Sequence, residues 1–151
     1  MAKIFLIIAG IAVCAYVFFG RDEQTTSPMW DAAFVSTLSN DLVTANGVPA
    51  GASRLAGKDL VLIYFSAHWC PPCRTFTPEL VQHYRDKGGG TKFEVIFVSR
   101  DHDEAAMLSY MQGEQMPWVA TKFGSRSVDA LAKHYAGKGI PCLVLVDKTG
   151  K

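Results

Sequence analysis

Apolar and polar positions fall into distinct blocks along this chain. Leu60-Val61-Leu62-Ile63-Tyr64-Phe65 is an unbroken apolar run of strand length, and Phe93 to Ser99 reads as a second, largely apolar strand. Such runs predict strands covered on both faces. A third long strand is predicted from Ile140-Pro141-Cys142-Leu143-Val144-Leu145-Val146, ahead of the turn Asp147-Lys148-Thr149-Gly150. Helical spacing fills the intervals. One helix opens after Trp69 and extends to Tyr84 or Lys87, stopped by Gly88-Gly89-Gly90; Pro78 falls inside it and is expected to kink it. A second runs from Asp103 to Gln112, capped by Asp101 or Asp103, with Met107, Leu108 and Met111 as its buried stripe. A third covers Ser127 to Tyr135 and ends at Gly137 and Gly139. Ahead of the first strand, Phe34, Val35 and Leu38 suggest a helical turn or two between Asp31 and Leu38. Asp41 to Val48, with the Asn46-Gly47 turn signal, reads as an early strand and hairpin. The alternation strand-helix-strand-helix predicts an α/β fold with parallel strands joined by right-handed crossovers.

The N-terminal block is different. Lys3 is followed by Ile4 to Phe19 without a charge, and Arg21, Asp22 and Glu23 follow Gly20. As a helix the stretch would be ~25 Å long, slightly short of a ~30 Å hydrocarbon core. It lacks a polar face and a small-residue cleavage site after the run, so residues 1–23 are expected to be an uncleaved membrane anchor, with a signal segment as the alternative. Lys3 and the α-amino group weakly favour the N-terminus inside, placing the domain outside the cytoplasm, periplasmic or lumenal, or secreted if cleaved. Cys14 is read as an apolar filler. Residues 24–40 then form a linker and short helix, and 41–151 the main domain.

Composition narrows the function. A 151-residue chain with 49% apolar residues supports one domain with a full core plus an appendage. A formal charge of +1 without a basic block argues against nucleic-acid binding. Four cysteines are too few for a disulfide scaffold.

The chemistry concentrates in Trp69-Cys70-Pro71-Pro72-Cys73-Arg74, where an apolar strand meets a helix. The first turn of a helix has N–H groups without intrahelical partners and the positive end of the macrodipole, which favour a thiolate. Helix N-termini bring a cysteine pKa from ~8.5 to roughly 3.5–7.5. Cys70 is thus the expected nucleophile, and Cys73, about one turn later, the resolving thiol. A zinc site would want four ligands in two spaced pairs, and the other cysteines, Cys14 and Cys142, are isolated. A purely structural disulfide stays open as an alternative. Protonated His68 would tune the thiolate, or be a plain loop histidine. Trp69 is expected to shield the thiols and offer a substrate surface. Arg74 opposes the macrodipole slightly, so contact with a partner or the thiolate suits it better than helix stability; a solvated charge is the plainer reading. Trp118 is read as packing or function.

Tyr64 to Arg74, Phe76-Thr77-Pro78-Glu79-Leu80, Val95 to Asp101, Met116-Pro117-Trp118 and Gly139-Ile140-Pro141 together resemble the thioredoxin superfamily, within it the tryparedoxin and nucleoredoxin group. The resemblance runs from about residue 40 to the end. It implies a thioredoxin fold, a central mixed sheet flanked by helices, and a cis-Pro141 lying against the cysteines, where its neighbour Ile140 pairs with a substrate strand. Trp69, Pro71, Pro72, Ile140 and Pro141 are accordingly the expected substrate contacts. Three departures stand out. Tyr64 occupies the place of a buried Asp in thioredoxins proper, Cys142 stands where the group has Thr, and the family continues past Lys151 with a further strand and C-terminal helix. A truncated domain with an uncovered sheet edge is expected.

The expected function is a thiol-disulfide oxidoreductase that needs no cofactor and no metal. Its partners are a disulfide-containing protein or small dithiol, an upstream dithiol reductant, and the membrane through residues 4–19. Two alternatives remain: a redox-responsive binding module, and a dedicated extracytoplasmic reductant such as those of cytochrome c maturation.

Overall fold

The computed structural model describes residues 6–8, 11–13, 30–38 and 40–151. Its first elements are β1 (Leu6–Ile8) and β2 (Ile11–Val13), paired antiparallel with Leu6 opposite Val13 and Ile8 opposite Ile11. This corrects the expected N-terminal helix, because strands that pair with one another cannot belong to one continuous helix. The rest of the 4–19 run, Cys14 included, and the 24–28 linker lie outside the described residues. No described helix is long and apolar enough to cross a membrane.

From residue 30 onward the order is α1 (Ala32–Leu38), β3 (Leu42–Val43), β4 (Pro49–Ala50), a 3-10 turn (Ala52–Leu55), β5 (Leu60–Ser66), α2 (Pro71–Lys87), β6 (Phe93–Ser99), α3 (Glu104–Gly113), β7 (Val119–Thr121), α4 (Arg126–Tyr135) and β8 (Cys142–Asp147). The strands form one mixed sheet in the order β4-β3-β7-β6-β5-β8. Strands β5, β6 and β7 are parallel, and β8 and β3 run antiparallel to their neighbours. The hydrophobic pattern does not predict β7: three residues after a Pro-Trp pair carry too little periodicity to register.

The period-2 pleat of β5 and β6 divides the core between two faces. Val61, Ile63, Phe65, Ile96 and Val98 meet α1 and α4 through Phe34, Leu38 and Leu131. Tyr64, Val95 and Phe97 meet α2 and α3 through Leu80, Val81, Tyr84, Met107, Tyr110 and Met111. Trp118 is packing: it is buried edge-on against Tyr64 and Tyr84. Since both faces of β5 are covered, its sequence shows a continuous apolar run instead of an alternation.

Helix ends follow local chemistry. Asp31 Oδ1 accepts from the N–H groups of Ala33 and Phe34 and starts α1. Asp103 Oδ1 accepts from the Ala106 N–H and caps α3, leaving Asp101 for another task. Gly88 ends α2 at φ 85°, where only glycine is unstrained, and the next amide, Gly89, donates to the Tyr84 carbonyl. At the outer edge, β8 exposes Leu143 and Leu145.

One buried charge fastens the sheet to this helix. Glu94 on β6 is fully buried, paired with Arg54 at 3.2 Å and accepting from the Tyr84 hydroxyl at 2.7 Å. Tyr84→Phe removes that donor and leaves a buried carboxylate short of partners. It is expected to lower stability by about 1–3 kcal/mol, read as a lower urea midpoint at unchanged slope.

Candidate active site

The central strand β5 delivers the motif. After Ser66 the chain leaves the sheet, a Cys70 N–H to Ala67 carbonyl bond tightens the turn, and α2 begins at Pro71. Prolines fit here because the first helical N–H groups have no acceptor to lose. Cys70 is the N-cap, with extended backbone, and its Sγ accepts from the Cys73 N–H at 3.3 Å. That is the position in which a sulfur gains most from negative charge. Cys70 and Cys73 are joined as a disulfide, with Cα atoms 5.2 Å apart. Both are buried, Cys70 at 3% exposure and Cys73 at 0%.

The Ile140–Pro141 bond is cis. The Ile140 carbonyl oxygen lies 3.7 Å from Cys70 Sγ, a distance at which the reduced thiol donates to it. Ile140 completes a small apolar cluster with Ala67, Cys70 and Cys73.

The flanking residues divide. Trp69 is half-exposed, held by an Nε1–H bond to the Arg100 carbonyl at 3.0 Å and stacked on His102. Pro71, Pro72 and Arg74 are exposed. The His68 ring lies edge-on to Tyr110, and its backbone N–H donates to Asp101 Oδ1; its hydrogen bond thus goes to the loop after β6 and not to the thiols. Cys142 pairs in register with Phe65 on β8 and packs with the α1 and α4 face of the core.

Sequence reasoning missed what stands behind the motif. Thr77 Oγ1 donates to the Cys73 carbonyl at 2.9 Å, which uses its one proton. Tyr64, at 2.8 Å, and Tyr110, at 2.6 Å, must therefore both donate to Thr77, and Ser66 to Tyr110. Four hydroxyls so converge behind the turn holding Cys73, where Tyr64 takes the place of the buried Asp of thioredoxins proper. The signal is faint: polar atoms at the ends of residues that pattern as apolar. Asp101, a candidate cap by its position, has a different task. It receives the Ser99 hydroxyl as well as the His68 N–H, fixing the loop beneath Trp69.

A cysteine pair at the start of a helix, its first member the N-cap, faced by the cis Ile140–Pro141 bond, defines a thioredoxin-type thiol-disulfide site. Comparison with known proteins agrees. The thioredoxin-like family model matches residues 57–151. A probable nucleoredoxin 1 of Arabidopsis thaliana is 42% identical over 122 residues, covering 80% of this chain and 21% of that protein. The crystal structure of thioredoxin from Wuchereria bancrofti superposes with a TM-score of 0.71 at 39% identity, covering 76% of this chain and 80% of that one. A tryparedoxin II complexed with glutathionylspermidine gives a TM-score of 0.62 at 35% identity, covering 72% and 74%. This chain belongs to the thioredoxin-like family, in its nucleoredoxin and tryparedoxin group. Nucleoredoxins and tryparedoxins are thiol-disulfide oxidoreductases. The chain spans 21% to 29% of the length of the first nucleoredoxins it matches.

The expected localisation is overturned. The described residues of the segment assigned to a span, 6–8 and 11–13, form a strand pair, no described helix is long and apolar enough to cross a membrane, and the relatives are nucleoredoxins and tryparedoxins. A membrane-anchored or secreted protein with an extracytoplasmic domain, and a membrane partner through residues 4–19, have no support.

Burial pushes the Tyr64 phenol up to about 12, against an ordinary value of 10.0. The fold therefore favours the neutral phenol, and the stability this contributes is complete below pH 10 and lost as pH rises through 12. A tenfold difference in proton affinity corresponds to about 1.4 kcal/mol, so the loss amounts to roughly 2–3 kcal/mol. Urea unfolding from about pH 9 to about pH 12 is expected to show it, with a shallower decline in Tyr64→Phe.

Proposed function

We propose that this chain is a thiol-disulfide oxidoreductase in which Cys70 attacks and Cys73 resolves. The observation that carries the reading is Cys70 Sγ at the N-cap of α2, accepting the Cys73 N–H beside the cis Ile140–Pro141 carbonyl. The Cys70 thiolate attacks one sulfur of a substrate disulfide, forming a mixed disulfide and releasing the first substrate thiolate. Cys73, deprotonated, attacks Cys70 Sγ, forming the Cys70–Cys73 disulfide and releasing the second. Two electrons pass to the substrate, and an upstream dithiol returns them. Trp69, Pro71 and Pro72 border the attacking sulfur, and Ile140 and Pro141 receive the substrate backbone. Residues 41–151 form the working unit, against which α1 packs Phe34 and Leu38. Substrates in this reading are disulfides of proteins or small dithiols; the complex of tryparedoxin II with glutathionylspermidine supports the small end of that range.

The test is insulin reduction by the full chain with dithiothreitol as reductant. Cys70→Ser is expected to abolish turnover, by about 10³-fold or more. Cys73→Ser keeps the first attack and strands the mixed disulfide, visible as a covalent adduct by mass. No turnover in the parent protein, with partner capture retained, would replace the enzyme by a redox-responsive binding module.

A further inference from the structure

Beside the dithiol lies a cleft of about 340 Å³, with Phe65, Trp69 and Arg100 on one side and the segment 136–140 on the other. Its charged lining is cationic only: Arg100 from the loop after β6 and Lys138 from the loop before β8. Neither forms an ion pair with a described residue. The nearest acids along the chain are already engaged. Asp101 is buried, one oxygen held by the His68 N–H and the other by the Ser99 hydroxyl, and Asp103 is committed to capping α3. His102 lies outside the lining, stacked on the Trp69 ring.

Besides the Lys138 side chain, the opposite wall offers backbone at Gly137 and Gly139. The N–H groups of Lys138 and Gly139 have no hydrogen-bond partner among the described residues, and nothing lies within 4 Å of where a Gly139 side chain would begin. An extended peptide laid along this wall would find free backbone donors, the sulfur of Cys70 by the Ile140 carbonyl at one end, and two unpaired cations flanking it.

We propose that this cleft selects peptide disulfides whose cysteine is flanked by carboxylates. The inference rests on the oxidoreductase reading and adds its substrate class. Unpaired cations close to a reacting sulfur raise the local concentration of anionic substrate and repel cationic ones, and both effects fade with salt. The selected charge is opposite to that of the spermidine arm of the ligand carried by tryparedoxin II.

Three small disulfides separate the claims: oxidised glutathione, which is anionic and peptidic; cystamine, which is cationic; and bis(2-hydroxyethyl) disulfide, which is neutral. The full chain is reduced, freed of reductant, and mixed with each at low ionic strength, and loss of titratable thiol gives the rate constants. Each charge contact is expected to be worth on the order of threefold. The glutathione-to-cystamine rate ratio should therefore fall by about tenfold or more in the double variant Arg100→Glu, Lys138→Glu, and in the parent protein should shrink at about 0.5 M salt by a similar order. A ratio unmoved by the double variant, while all three disulfides still oxidise the protein, overturns the charge selection and leaves the oxidoreductase reading standing. Failure of all three to oxidise it overturns that reading, and the selection with it.

Discussion

Everything at the site depends on one junction, the passage from the central strand β5 into the first turn of α2 through Cys70. Because the N-cap is a sulfur, the Cys73 N–H that a hydroxyl or carboxylate would ordinarily satisfy points at a thiolate-forming atom. The same interaction that starts the helix also favours the charged sulfur. It is precise only because β5 cannot move: it lies between β6 and β8 with both faces buried, and its pleat is locked to two independent core clusters.

The surroundings act through this junction. From behind, Tyr64 and Tyr110 hold Thr77, with Ser66 on Tyr110, and Thr77 holds the Cys73 carbonyl, so that the side-chain support of that carbonyl comes from hydroxyls. From the front, the cis Ile140–Pro141 bond sets a carbonyl against Cys70. From the side, Asp101 fixes the backbone of His68 and the Trp69 indole hangs from the Arg100 carbonyl. Three separate loops thus meet at one pair of sulfurs, and the cleft beside them inherits its charge from two of those loops.

A neutral hydroxyl network in place of a buried carboxylate changes the electrostatics around Cys73. A carboxylate beneath Cys73 would disfavour its thiolate by like charge and could carry its proton. Hydroxyl donors place no like charge there at ordinary pH, since burial drives the Tyr64 phenol further from ionisation. The network's part in the structure is to hold the turn through the Cys73 carbonyl.

The sequence by itself determined the long strands, the helices and the cysteine pair, because these rest on local rules: an unbroken apolar run and a largely apolar one at β5 and β6, an Asp cap on α3, the glycines after Lys87, and two cysteines one turn apart at a strand end. Residue type also carried the family resemblance, including the proline that proved to be cis. Tertiary structure decided what local pattern does not encode. Apolarity of the N-terminal run is the same whether its residues coil or pair, and pairing is what the described part shows. The strand β7 exists because β6 and β3 supply its hydrogen bonds from far along the chain. Tyr64, Thr77 and Tyr110 look like core residues until their hydroxyls meet, and Arg100 and Lys138 look like ordinary surface charges until two loops set them around one cleft. A hydrogen bond or a field needs two partners at a distance of a few ångströms, and sequence separation alone does not supply it.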